Sequence, residues 1–378
     1  MLNSNIYHVA IVGGGLAGLT LAIQCADAGY RVVLFEKEQY PFHKVCGEYI
    51  SMESFGFLQR LGLPLQSMQL PVIYTLHISD ASGKIYPFKL PLGGFGISRY
   101  TLDDALYKLA MQKGVTVLTQ TKVNNIVFTD DVFTIETNSN LFTSMCAAGS
   151  FGKRSNLDVK WKRPFVRSKA KGLNNYIGVK YHVRYNQPRN AIALHSFKDG
   201  YCGISNIEDG KCCLCYLTTA ANLKSSGSIA QMQRDILMQN PQLQNIFTKA
   251  EFLYEEPLTI SQVSFAPKSQ VENHVLMIGD AAGMITPLCG NGMSMAMHAG
   301  KLAFNNMHLY LRGDVNRPAM EDKYARQWRR NFNKRLVVGR MVQRLFGNNK
   351  TTAWFLQLVS KNAWLAQKII SSTHGTRF

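Results

Sequence analysis

Acidic residues are scarce in this sequence. Only 24 Asp and Glu stand against 42 Lys and Arg, leaving a formal charge of +18 over 378 residues. Charge of either sign makes up 17% of the chain and hydrophobic residues 46%, so a large core can form and disorder is excluded; one big or two interleaved domains are expected. The eight cysteines are scattered, which argues against a disulfide scaffold and for reduced thiols. Their densest cluster, Cys212, Cys213 and Cys215, lacks a spaced second pair and a histidine nearby in sequence, so it predicts a buried strand and no metal site. No zinc-finger or RNP-like signature occurs, and no nucleic-acid partner is expected. The apolar stretch Val9–Ala28 has no Lys or Arg before it and is interrupted by Gly13, Gly14, Gly15, Gln24 and Asp27, so neither an export signal nor a spanning helix fits. Cytoplasm is the expected location, with peripheral contact at the inner face of the membrane left open. No internal repeat or low-complexity tract is present.

The basic excess is uneven. From Lys153 to Arg189 eleven basic residues accompany one acid, and the segment from Lys323, "KYARQWRRNFNKRLVVGRMVQRLF", sets arginines between aromatics and aliphatics at helical spacing. A diphosphate, a thioester of coenzyme A or of an acidic carrier protein, or an anionic membrane surface could each use such a face, as could solvent alone.

The N-terminal segment "YHVAIVGGGLAGLTLAIQCADAGYRVVLFEK" reads strand, glycine turn, helix, strand. Gly13, Gly15 and Gly18 fit G-x-G-x-x-G, with Leu16 and Ala17 opening the helix and Gly29 stopping it. Glu36, followed by Lys37, closes the second strand eighteen positions after Gly18, where the ribose hydroxyls of a dinucleotide arrive. Gly13 permits the bend, Gly15 lets backbone approach a pyrophosphate, and the helix start offers N–H groups and its positive dipole end. An acid at position 36 argues against a 2′-phosphate.

Further along, Cys46-Gly47-Glu48 follows a loop around Pro41, and Arg99 precedes a helix with Leu102, Leu106 and Leu109 on one face. Segments Val72–Leu90 and Tyr176–Leu217 alternate apolar and polar residues, predicting an antiparallel, substrate-facing sheet. Beyond Gly313 the chain reads as helical, with a break at "FGNN". Late in the chain, "VLMIGDAAGMITPLCGNGMSMAMHAG" runs from strand to acid to a glycine-rich bend and a helix start.

Taken jointly, the glycine-rich unit, "KVCGE", "SRYTLDDAL" and "IGDAAGMITPLCGNG" resemble the FAD-dependent oxidoreductases of the geranylgeranyl reductase, tryptophan halogenase and para-hydroxybenzoate hydroxylase kind, over about Tyr7–Gly300. The resemblance implies an α/β fold: a Rossmann-like FAD-binding domain (1–71, 91–165, 268–312), an interleaved antiparallel sheet domain (72–90, 166–267) and a C-terminal helical region (313–378). It implies that Gly279 and Asp280 meet the ribityl chain of FAD, that Pro287, Gly290 and Gly292 neighbour the flavin ring with Asn291 and Met293 among the cofactor-binding residues, and that Arg99 contacts flavin or phosphates. Backbone N–H groups at that helix start would stabilise a reduced flavin anion. Cys46 and Gly47 match the cysteine–glycine pair of the reductase branch; Cys46 reads as a packing residue there ahead of a catalytic thiol, and it and Pro287 are the catalytic candidates.

The sequence departs from the pattern in places. Ala148 stands where a mid-chain acid would be, the halogenase tryptophan-x-tryptophan-x-isoleucine-proline run is absent, and Gly283 replaces the histidine that hydroxylases carry after "GDAA". These departures tilt the expectation toward a reductase or dehydrogenase acting on a hydrophobic prenyl, lipid or carrier-linked substrate. With one dinucleotide fingerprint, NADPH or NADH would bind transiently, or a partner reductase would supply electrons. The alternatives are a monooxygenase of aromatic or polyketide-like substrates, then a halogenase or a non-catalytic flavin-binding membrane-associated protein. His43, His182, His195, His298, Tyr49 and Tyr201 are proton-donor candidates by type. Trp354, Phe355, Leu358 and Trp364 could pack on the body, a twin subunit or lipid.

Overall fold

The computed structural model describes residues 6–167, 175–346 and 349–378. Short β-branched runs build its first sheet. The strands Tyr7–Val12 and Val32–Phe35 are buried along nearly their whole length, as strands covered on both faces must be. They sit in a parallel array in the order Val275–Met277, Leu141–Gly149, Tyr7–Val12, Val32–Phe35, Thr116–Leu118. Strand order therefore reverses at Tyr7–Val12, and the crevice beyond the strands' carboxyl ends is where ligands bind in such sheets. The helix α1 (Leu16–Asp27) follows the first strand, α2 (Arg99–Gln112) precedes Thr116–Leu118, and α3 (Gly292–Leu311) closes the unit. Gly300 lets α3 lie against α1: a Cβ there would stand 2.8 Å from the Ala17 carbonyl oxygen.

The second sheet runs Glu251–Phe252, Tyr176–Arg184, Cys212–Thr219, Gly200–Asn206, Ala191–Phe197, Val72–Ser79, Ile85–Gly96, Tyr49–Ser51. The expected sheet is present, but it is not purely antiparallel: Ala191–Phe197 pairs with Val72–Ser79 in parallel. The physical reason is connectivity, because the chain between those segments passes through the first sheet, and so long a crossover can return a strand in either sense. The sheet also takes in Tyr49–Ser51, and Ile85–Gly96 continues past position 90, so it extends outside the segments expected for it.

The C-terminal region folds into α4 (Arg317–Leu345), α5 (Asn349–Ser360) and α6 (Ala363–Thr373). The break falls at "FGNN", of which Gly347 and Asn348 lie outside the described residues; a second break comes at Lys361–Asn362, where the Asn362 side chain caps α6. Phe346, Leu356, Val359 and Ala366 from these helices pack on Tyr86 and Phe88 of the second sheet.

Candidate cofactor and substrate site

At the mouth of the crevice the chain turns sharply. Gly13 has φ of +109°, and a Cβ on it would stand 2.3 Å from the Ser150 carbonyl oxygen; at Gly18 a Cβ would stand 2.1 Å from the Gly13 carbonyl oxygen. The turn is thus clamped between neighbouring strand ends, which no larger residue permits. Glu36, buried just past its strand, accepts from the Gly14 amide at 2.9 Å and the Glu38 amide at 3.1 Å, which fixes its carboxylate at the crevice and leaves lone pairs for hydroxyl donors. Lys37 points away, pairing with Glu38 at 3.4 Å with its side chain 70% exposed; alternation along an extended strand end sends it to the opposite side from Glu36.

Two cations converge on the turn. Arg99 Nη2 and Lys44 Nζ lie 3.9 and 4.0 Å from where a Gly15 Cβ would be. Asp103 holds both, bonding Arg99 through two contacts of 2.7 Å and Lys44 at 2.9 Å. Burial alone would raise the Asp103 pKa, but Arg99 and Lys44 outweigh it and keep the carboxyl below its usual value. Neither Asp103 nor Lys44 was singled out in the sequence; the i,i+4 spacing from Arg99 to Asp103 was the available signal.

On the far side Gly279, Asp280, Gly292, Met295 and Ala296 line one small cleft, backed by Trp328 and Phe332. Burial raises the Asp280 pKa, opposed by Lys268, Arg99 and Lys153. Its carboxylate has no hydrogen-bond partner among the described residues, while its backbone is pinned: Lys268 Nζ donates to the Asp280 carbonyl at 2.7 Å, and the fully buried Arg163 donates to that of Ala281 at 3.0 Å. Burial pushes Lys268 down to about 8. The Lys153–Arg189 run is therefore not one basic face. Arg163 and Lys180 are buried and paired, because isolated charges cannot be left in a core, and 168–174 lie outside the described residues.

The donor set fits FAD. A helix start with two cations suits the pyrophosphate, Glu36 suits a ribose, and the unpartnered Asp280 carboxylate suits the ribityl hydroxyls. Three of the expected site residues have surroundings that define what they can do. Asn291 turns its amide to the Thr373 carbonyl of α6 at 2.9 Å, since it is completely buried and needs a partner. Cys46 packs its sulfur on that of Met293 at 3.6 Å, and burial raises its pKa, so the thiol stays protonated and acts in packing, not as a nucleophile. Pro287 carries no group able to move a proton, and it lines a second cavity.

That cavity, partly open to solvent, lies between the second sheet, the Pro287–Gly290 bend and α4–α6. Leu76, Phe88, Leu90, Ile192, Leu356 and Ile370 typify its walls. Tyr49 lines it beside Gly290 with a hydroxyl that is buried and has no hydrogen-bond partner. Under the Cys46–Gly47 loop sits a charged cluster that the sequence did not reveal: Glu48, at φ of +55°, takes Lys180 Nζ at 2.5 Å, His182 Nε2 at 2.6 Å and the Arg99 amide at 2.8 Å. The Cys213 thiol comes within 4.8 Å of the Glu48 and His182 ligand atoms, bringing to "CCLC" the histidine its sequence neighbourhood lacked. A carboxylate already in direct contact with an ammonium and an imidazole makes this an ion-pair cluster and not a metal cage. Of the remaining histidines, burial pushes His43, His195 and His298 down to about 4, so each is neutral; His195 bonds the Ser79 hydroxyl at 2.9 Å and His298 stacks on Phe378.

The FAD binding domain family matches residues 8–44, the glycine turn, Glu36 and Lys44 included. Digeranylgeranylglycerophospholipid reductase 1 of Methanothermobacter thermautotrophicus is 23% identical over 323 residues, 78% of this chain and 75% of that protein. The chain carries an FAD-binding segment. Conditioned medium factor receptor 1 of Dictyostelium discoideum is 23% identical over 331 residues, 80% of the flavoprotein described here, which spans only 63% of that relative's length. A geranylgeranyl bacteriochlorophyll reductase-like protein of Thermoplasma acidophilum shares the flavoprotein's fold with a TM-score of 0.78 at 16% identity, covering 99% of this chain and 97% of that one, and flavin-dependent halogenases share it as well. No described helix of the flavoprotein is long and apolar enough to cross a membrane.

Proposed function

We propose that this flavoprotein is a reductase that saturates a carbon–carbon double bond in a long aliphatic chain, such as a prenyl or other lipid tail. The observation that carries the reading is the apolar cleft, partly open to solvent, that abuts the Pro287–Gly290 bend. Bound FAD supplies hydride chemistry. The protein's own residues do the rest. Gly13–Gly15, Lys44 and Arg99 hold the pyrophosphate, Glu36 and Asp280 hold the two sugar-derived ends, and the aliphatic walls orient the tail and exclude water. Tyr49 holds a proton: its hydroxyl is buried without a partner, and burial followed by the nearby Glu53 charge raises its pKa, so it stays protonated at neutral pH. Saturating one double bond takes one hydride and one proton; the two electrons come from NADPH, NADH or a partner reductase, none of which has a dedicated second fingerprint in the chain.

The test is anaerobic incubation of the FAD-loaded protein with a reductant and a polyunsaturated prenyl lipid, followed by mass spectrometry. Products heavier by two hydrogens are expected. Products carrying oxygen once air is admitted, or halogen when halide and air are present, without any gain of hydrogen, would overturn the reading.

A further inference from the structure

The helices that wall the cavity have a second side. Val342, Phe346, Phe355, Leu356, Ile369 and Ile370 face inward to the cavity. Outward, the same helices expose large apolar groups: Met341 at 60%, Trp354 at 65% and Trp364 at 66%, with Val337 and Leu358 close to half exposed. A tryptophan left two-thirds in water is unfavourable unless something covers it.

Basic residues are set among these groups. On α4 the exposed residues Arg330, Lys334, Val337, Met341 and Arg344 recur at intervals of four and three, which places them along one helix face. Trp354 and Leu358 are one turn apart on α5, and Lys361, Trp364 and Lys368 follow at the start of α6, with Lys368 Nζ 4.5 Å from the Trp364 ring centre. From Lys323 to Phe378 there are twelve Lys and Arg and no Asp or Glu. Arg330, Lys334, Arg344, Lys361 and Lys368 form no ion pair among the described residues. Apolar groups with tryptophan and interleaved unpaired cations on helices too polar to span a bilayer make up the composition of an in-plane interfacial surface.

We propose that the outer face of α4–α6 docks on an anionic lipid bilayer, lying in the interface with Trp354, Trp364 and Met341 among the headgroups and the lysines and arginines against lipid phosphates. An acidic protein would be drawn by the charge alone and would leave the exposed tryptophans unexplained. The purpose of such docking, to set the wall of the cavity against the phase where long-chain substrates reside, rests on the reductase reading; the surface itself does not.

The experiment uses the FAD-loaded full chain and vesicles of saturated phosphatidylglycerol and phosphatidylcholine, which contain no reducible double bond, so its outcome is independent of the proposed reaction. Cosedimentation with anionic vesicles, a blue shift of tryptophan emission and weakening by salt are expected. W354S/W364S should abolish the blue shift and K361E/K368E should lower vesicle partitioning by about tenfold or more, since each basic residue near an anionic surface contributes about 1 kcal/mol. Both variants should keep bound FAD. No binding to anionic vesicles, binding unaltered in both variants, or binding to a small acidic carrier protein in place of vesicles would overturn the proposal.

Discussion

Glu48 Oε2 lies 2.6 Å from His182 Nε2 although the two residues are 134 positions apart, and Oε1 of the same carboxylate meets Lys180 Nζ. The tie joins the loop that carries Cys46 and Gly47 to the strand Tyr176–Arg184, next to the edge of the second sheet, so it locks that loop onto the sheet. Glu48→Gln leaves the buried Lys180 uncompensated and should destabilise the protein by about 3–5 kcal/mol, measured by urea unfolding. Adding Lys180→Met should recover part of that loss, and strict additivity of the two substitutions would deny the coupling.

Acid sensitivity follows from the same carboxylate. Burial would raise its pKa, but the His182 hydrogen bond and the Lys180 charge bring it below the ordinary 4.5. As pH falls the unfolded chain takes up the proton first, so this contribution is complete above about 4.5 and is lost below it, through the lowered folded value. Stability curves of Glu48→Gln should therefore be flatter than those of the parent only below pH 4.5.

His195 acts over a different window. Burial depresses it from 6.5 to about 4, so the folded protein resists a proton that the unfolded chain accepts. The penalty is absent above 6.5 and grows as pH falls toward 4. His195→Gln, which can still bond Ser79, should lessen the pH dependence of the melting temperature between those values.

Cofactor retention should depend on a residue that cannot touch phosphate itself. Asp103 holds Arg99 and Lys44 at the Gly15 turn, so Asp103→Ala should weaken FAD binding by about tenfold or more even though it removes a negative charge near an anionic ligand. Flavin fluorescence titration reads it; tighter binding would show that Asp103 only repels.

Glu36→Ala and Asp280→Ala should each loosen FAD, by loss of hydrogen bonds to charged acceptors worth about 1.5–3 kcal/mol apiece. Unaltered retention in both would remove the two anchors from the site.

Filling the cavity separates substrate from cofactor. Leu356→Trp intrudes on the space bounded by Phe88, Ile192 and Ile370 and should suppress turnover of long-chain substrates while leaving FAD content and anaerobic flavin reduction intact. Equal loss of flavin reduction would place the effect at the cofactor instead.

Local physics made the first half of the site legible in the sequence. The Gly13–Gly18 turn, the burial of Val9–Val12 and Val32–Phe35, Glu36 at a strand end and the helix opening at Gly292 each follow from neighbours a few positions away, through glycine conformation, periodicity and helix-end polarity. The same locality revealed the basic, tryptophan-bearing C-terminus. Tertiary structure alone decided which charges are core and which are surface: Lys180, Arg163 and Asp103 look like solvated residues until strands and loops far apart in sequence close over them. It also decided that Asn291 turns to α6, that Tyr49 is left unpartnered beside Gly290, and that the cavity exists at all, because its walls come from three separated parts of the chain. A buried charge needs its partner in space, and spacing along the sequence carries no record of that partner when more than a hundred residues intervene.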